Sequence, residues 1–409
     1  MRDNIGDVIG SIWSSTDVSQ NLNYICDTIG SRPAGSESAH LAGEYIKKKL
    51  EEYGLETHTH RFEHPCWEKE ITEFFLDKKS LAAIPFHFSK SEDLSGECYI
   101  LDNPSEKSFE RASFQGKILL ATPTKQRHGG MNRKDMFKKA VEGGAIGFIQ
   151  MSSILGGVLE TGSIGNDFTE IPALSCSYET GKLIERMQKR GKGAITLSIK
   201  GKKVNKSSYN IIGDLYGKSD NMVVSGAHYD TWDIGPGAFD NGTGISTVLG
   251  LAETISKSPI LDSLPNSLRF IFFSGEELGI LGSEAYAKDY IDSGKTPNVS
   301  LMCNYDCTNI KGGVRGAFTS NSMPMHNHIV DFVESRGFDI KMSLRPPHGT
   351  DAVHFAHRKI PTFGLAQFTA PSYMHTAFDT PDKVDISGLK NSTAIAGAIL
   401  VDLITQEII

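Results

Sequence analysis

The chain has no apolar run near the roughly 18 residues that suggest a membrane-spanning helix. Its opening, MRDNIGDVIGSIWSS, lacks the basic start and apolar stretch of a secretory signal. It lacks a strong charge of either sign: 42 Lys and Arg against 49 Asp and Glu leave −7. That balance excludes a nucleic-acid surface, and no basic run suits anionic lipid. Cysteine is sparse. The six, at 26, 66, 98, 176, 303 and 307, are scattered; only Cys303 and Cys307 are neighbours, and no second pair completes a thiolate zinc site. They are expected to be small buried thiols in a reduced, cytoplasmic setting. Internal repeats and low-complexity tracts are absent.

What is there is an ordinary globular composition, 39% hydrophobic and 22% charged, in a chain of 409 residues, long enough to expect two domains. Residues 1–53 read as helical. In HLAGEYIKKKLEEYG the side chains Leu41, Tyr45, Ile46 and Leu50 share a stripe, and Gly54 stops it. Extended segments follow at 55–62 and 69–76. From about 90 to 203 short strands (117–122, 145–151, 172–176, 194–199) alternate with helices at 134–143 and 178–190. This stretch holds no cluster of potential metal ligands and reads as a module inserted into the main domain, 1–89 with 204–409. From 205 onward strand and helix alternate as in an open, mostly parallel α/β sheet flanked by helices. The clearest strands are 221–227, 267–274, 299–305 and 362–366. Between the first two lies a helix with apolar face Ile245, Val248, Leu249, Ala252 and Ile255, and a closing helix spans 386–406.

Acidic and histidine residues fall at the ends of those strands. GAHYDTW puts His228 and Asp230 just past the first, and GAFDNGTG puts Asp240 at the start of the next helix. SGEELG puts Glu276 and Glu277 after the second strand, NYDC puts Asp306 at the end of the third, and MHTAFDT puts His375 after the fourth. Ligands of open α/β sheets bind beyond the carboxyl ends of the strands, so these segments converge. Singly, each has an ordinary structural explanation: an N-cap, a turn or a solvated helix start. Together in this order they suit zinc, which takes nitrogen and oxygen ligands, with a shared carboxylate able to bridge two ions.

HYD, DNGTG, SGEELGILGS, NYD and HTAFDTPDKV, with the opening GSRPAGSESAHLAGEYIKKKLEEYGLE, resemble the co-catalytic zinc aminopeptidases, whose relatives include glutamate carboxypeptidase and the plasma dipeptidase. The middle segment, with GKILLA, KKAVEGGAIGFI and IPALSCSYETG, resembles the protease-associated domain inserted in many members. The resemblance implies two zinc ions per chain, one on His228 and Asp306, the other on Glu277 and His375, with Asp240 bridging. It implies that Asp230 orients His228, that Glu276 is the general base, and that the Asp240–Asn241 peptide bond is cis. Peptides are the implied substrates, cleaved from the N-terminus by an aminopeptidase or dipeptidase. The insert, carrying none of these ligands, is expected to be a lid-like module that restricts substrate length.

Two positions depart from the family. Met374 stands where some relatives carry an oxyanion-stabilising tyrosine, leaving Tyr373, one residue earlier, as the candidate. In GTDAVHF, Asp351 matches a Ser-Asp-His segment that shapes the pocket, but Ala352 replaces the histidine. A carboxypeptidase on the same scaffold would need an arginine for the terminal carboxylate, for which Arg315, Arg345 and Arg358 are available. A one-zinc glutaminyl cyclase is disfavoured because all five ligand positions are kept, and a catalytically silent receptor because the base is kept too. His58, His60, His326, His328, His348, His354 and His357 are read as packing or surface residues.

Overall fold

The computed structural model describes residues 4–102, 104–122, 131–296, 298–369 and 373–405. By their internal contacts these residues form two compact units, the first of 1–64, 206–374 and 379–409, the second of 65–205 with 375–378. The second unit thus begins well before residue 90, where the sequence placed the boundary. The reason is that two long strands, β1 (Glu56–Leu76) and β2 (Ile195–Leu215), each run through both units without a turn, so no Gly or Pro cluster marks the crossing.

The first unit is built on a mixed, mostly parallel sheet. After β1 and β2 come β3 (Ser219–His228), β4 (Asn266–Phe273), β5 (Val299–Tyr305), β6 (Val314–Ser320), β7 (Lys341–Leu344) and β8 (Thr362–Phe368). Their order across the sheet is β7-β6-β8-β5-β3-β4-β2-β1. The pairs β3/β4, β3/β5, β5/β8 and β6/β7 are parallel, whereas β4/β2 and β6/β8 are antiparallel. All eight residues of β4 are buried, as expected of a strand covered on both faces.

Helices α1 (Asn4–Ser14), α2 (Asp17–Asn23), α3 (Glu37–Glu52), α4 (Thr243–Ser256) and α5 (Ile386–Thr405) share that core. Ser36 caps α3 by accepting the Ala39 N–H at 3.1 Å. Its buried face is Ala39, Ala42, Ile46 and Leu50. Leu41, expected on this stripe, is instead 58% exposed, because the small residues Ala39, Ala42 and Gly43 take the buried side together with Ile46 and Leu50. The face expected for α4, from Ile245 to Ile255, is wholly buried. Each of its Ile, Val and Leu side chains contributes roughly 1.5–3 kcal/mol. The end expected for α5, Gln406, lies outside the described residues. Among the described residues no helix is long and apolar enough to cross a membrane.

The second unit has its own five-stranded sheet, ordered 83–85, 173–176, 147–151, 118–121 and 98–101, all parallel except the first. Two apolar clusters fill its faces, one around Ile118, Leu120 and Leu174, the other around Leu119, Phe148 and Met136.

Candidate metal centre

The turns after the central strands of the first unit assemble the site. β3 ends at His228, whose ring is 1% exposed. Asp240 and Asn241 precede α4 with non-helical backbone, and the bond between them is cis. Asn241 fastens this turn to the end of β5. Its Nδ2 donates to the Tyr305 carbonyl at 3.0 Å, and its Oδ1 accepts the N–H groups of Gly244 at 2.9 Å and Cys307 at 3.1 Å. A Cβ on Gly244 would lie 2.2 Å from Asn241 Oδ1 and 2.3 Å from the Tyr305 carbonyl, so a side chain there would break the junction. Asp379 holds the turn from the other side: its two carboxylate oxygens accept Phe239 N–H at 2.7 Å and Asp240 N–H at 3.0 Å.

These anchors bring His228, Asp240 and Asp306 together. His228 Nε2 lies 3.2 Å from Asp240 Oδ1 and 3.6 Å from Asp306 Oδ1, with Glu276 Oε2 at 4.0 Å. Asp240 and Glu277 each offer a carboxylate oxygen within 4.8 Å of the other. Asp230 is fully buried between the strand ends. Its carboxylate oxygens accept the backbone N–H groups of Glu276 at 3.1 Å and Glu277 at 3.3 Å. Its main-chain carbonyl pairs with His228 Nδ1 at 3.2 Å, while the nearer carboxylate oxygen is 3.6 Å from that nitrogen. Asp230 therefore places both the histidine and the Glu-Glu pair, by way of backbone groups. Tyr373 packs beside Phe239, Cys307 and Ile310.

His375 belongs by its contacts to the second unit, where its carbonyl accepts the Thr161 N–H at 2.9 Å. The segment 90–203 itself holds none of the proposed ligands, but residues 375–378 group with the second unit although they are far from it in sequence.

The electrostatics are lopsided. Burial alone would push the His228 imidazole down, but Glu276, Asp230, Asp240 and Asp306 together hold it well above the usual histidine value. Burial raises the Glu276 carboxyl well above its ordinary range; His228 opposes this, while Asp306, Glu277 and Asp351 add to it. Asp351, also buried, is pushed up to about 7 by burial, with His228 and Ser283 opposing and Asp230 and Asp306 adding. Among the described residues of this cluster, His228 Nε2, Asp306 Oδ1 and both Asp351 carboxylate oxygens are buried without a hydrogen-bond partner. One imidazole among six carboxylates, with unsatisfied buried ligand atoms on both His228 and Asp306, fits a divalent cation, since unpaired buried charge is costly.

Two contributors escaped the sequence reading. Arg32, fully buried, donates from Nε to the Tyr229 carbonyl at 2.9 Å and from Nη1 to the Gly30 and Pro236 carbonyls at 2.6 and 2.7 Å. It ties the loop after β3 to the loop before Asp240. Asp379 stood within the quoted HTAFDT without an assigned role. The only available signal was the position of Arg32 inside the turn-forming GSRPAG.

Residues 210–400 match the model of Peptidase family M28. The match covers a little under half of the chain. The chain is 27% identical over 287 residues to leucine aminopeptidase 2 of Trichophyton equinum, covering 67% of this chain and 54% of that protein. It is 28% identical over 311 residues to carboxypeptidase Q of Xenopus laevis, covering 70% and 64%. The chain thus spans little more than half the length of the first of these relatives. Among solved structures, a peptidase M28 precursor from Shewanella amazonensis SB2B superposes with a TM-score of 0.81 at 23% identity, covering 96% of this chain and 94% of that one. BSAP, a zinc aminopeptidase from Bacillus subtilis, does so at 0.77 and 21%, covering 95% and 94%. At these identities the structural likeness speaks for the fold.

Proposed function

We propose that this chain is an M28 peptidase, a zinc-dependent exopeptidase that removes residues from the N-terminus of peptides, as an aminopeptidase or dipeptidase. One observation carries the metal reading. Ligand atoms around tetrahedral zinc, bonded at about 2.1 Å, stand roughly 3.4 Å apart, and the His228–Asp240 and His228–Asp306 separations of 3.2 and 3.6 Å bracket that spacing. His228, Asp240 and Asp306 would hold the first ion. Asp240, Glu277 and His375 would hold a second, Asp240 being shared because a carboxylate has two oxygens to offer. The chain tethers His375 four residues from Asp379, whose carboxylate accepts the Asp240 N–H.

Bound zinc polarises a scissile carbonyl and lowers the pKa of water. Glu276 would accept the proton of the attacking water and return it to the departing amine. Its burial, which raises its proton affinity, suits a base that must also act as an acid. Asp230 keeps Glu276 in place through its N–H, and Tyr373 is the candidate hydroxyl for the developing oxyanion.

The name of the Xenopus relative keeps carboxypeptidase activity in view, but the arginines it would need are engaged elsewhere. Arg358 donates to Asp292 at 2.6 Å, Arg315 to Ser392 at 3.1 Å, and Arg345 lies 4.9 Å over the Phe318 ring. The inserted segment is read as a protease-associated domain, and the six buried cysteines support the reduced, cytoplasmic setting. The test is hydrolysis of a leucine anilide against its N-acetylated form, with zinc measured alongside. Cleavage of the free amine only, abolished by chelation and restored by zinc, is expected. Equal cleavage of both would rule out an aminopeptidase, and full activity in the metal-free protein would rule out the mechanism.

A further inference from the structure

His375 adopts φ +59, in the left-handed region. For a residue with a Cβ this costs roughly 1–2 kcal/mol, so something outside the loop must hold it. Within the second unit, the holder is the extended pair Glu160–Thr161: Glu160 forms an antiparallel bridge with Thr376, and Thr161 N–H donates to the His375 carbonyl at 2.9 Å.

That pair hangs from the centre of the second unit's sheet. Ser175 Oγ donates to the Glu160 carbonyl, and Arg133 Nη2 donates to the Thr161 carbonyl at 3.1 Å. Ser175 and Gln150 are register partners on adjacent strands, and Gln150 Oε1 accepts from Arg133 Nε at 3.0 Å. The guanidinium lies 4.3 Å over the Phe86 ring, which fixes its plane. Gly162, at φ +139, leaves room for it: a Cβ there would lie 2.0 Å from Arg133 Nη1. A chain of hydrogen bonds therefore runs from two interior strands and one helix start of the insert to the backbone of a proposed metal ligand.

We propose that Arg133 and Ser175 are positioning residues for His375. This rests on the reading of His375 as a ligand. Arg133 and Ser175 act through the Glu160–Thr161 backbone and touch neither substrate nor metal. Partners of this kind are worth about 10- to 100-fold in metal affinity.

The experiment is a zinc isotherm on the full chain against buffered free zinc, with two affinities fitted. Arg133→Met and Ser175→Ala should each weaken the weaker-held or second zinc by about 10- to 100-fold and leave the other unchanged. Ile118→Ala, which loosens the insert core away from the Glu160–Thr161 edge, should leave both affinities within about twofold, separating positioning from general destabilisation. His375→Ala should lose one zinc. Wild-type affinities in both Arg133→Met and Ser175→Ala, with one zinc lost in His375→Ala, overturn the proposal, and so does an insert that melts while both zinc ions stay bound. Two zinc ions retained by His375→Ala would instead defeat the ligand reading on which the proposal rests.

Discussion

Asp379→Asn tests whether Asp240 owes its position to a buried carboxylate. Asp379 is 2% exposed and accepts two backbone N–H groups, from Phe239 and Asp240, on separate oxygens. Asparagine matches its shape but keeps one acceptor, turning an NH2 group toward the other N–H. A buried donor left unpaired costs roughly 1–3 kcal/mol. The surviving bond changes from charge-assisted to neutral, losing about 1 kcal/mol more. Arg32, buried and within electrostatic reach of Asp379, also loses part of its compensation, which acts in the same direction. The sum is about 2–4 kcal/mol, a large part of the roughly 5–15 kcal/mol that holds a domain folded. The assay is urea unfolding of the metal-free protein followed by circular dichroism, with zinc affinity measured in parallel. Asp382→Asn, three residues on and exposed, is the control and should stay within about 0.5 kcal/mol of wild type. An Asp379→Asn protein equally unperturbed, with wild-type zinc affinity, would refute the anchoring argument.

Glu276→Gln should lower turnover by roughly 10²- to 10⁴-fold with zinc content unchanged, whereas Glu277→Gln should lose zinc; equal zinc in both purified variants would mean that base and ligand are exchanged. Burial pushes the Cys26, Cys98 and Cys303 thiols up to about 12 from an ordinary 9. A folded pKa raised above the unfolded one means stability that is complete below pH 9 and is lost as pH climbs from 9 towards 12. Unfolding midpoints should fall over that range, iodoacetamide should label the native protein slowly at pH 8, and fast stoichiometric labelling would contradict the burial.

The strands were legible where both faces are covered. VSLMCNY at 299–305 reads as a strand because it is a short, mostly apolar run of the kind a strand covered on both faces requires, and it is β5 residue for residue. The site was legible because its acids and His228 follow such strands directly, so sheet polarity gathers them. Arg32 and Asp379 were not, because both act on backbone N–H and carbonyl groups, and the partner of such a contact has no side-chain signature. The unit boundary was lost for a related reason: β1 and β2 each run as a single strand through both units, where the sequence shows separate short extended segments. The exposure of Leu41 shows the limit of periodicity, since alanines at 39 and 42 define a buried face that a search for large apolar residues overlooks.

The buried Arg32 bears on the order in which this protein is assembled. A pocket of carboxylates would repel itself while no metal is present, and small domains in that position stay unfolded until the ion arrives. Here a permanent cation is folded in among Asp230, Asp240 and Asp379, donating to the carbonyls on either side of the site. Charge balance is thus partly supplied by the chain itself, and the core beneath it is closed by α4 and α5 without help from the site. On the proposed metal reading, the newly made protein should therefore fold first and take up the ion afterwards, so that scarcity of the ion leaves a pool of folded, unloaded molecules that remain ready to be charged.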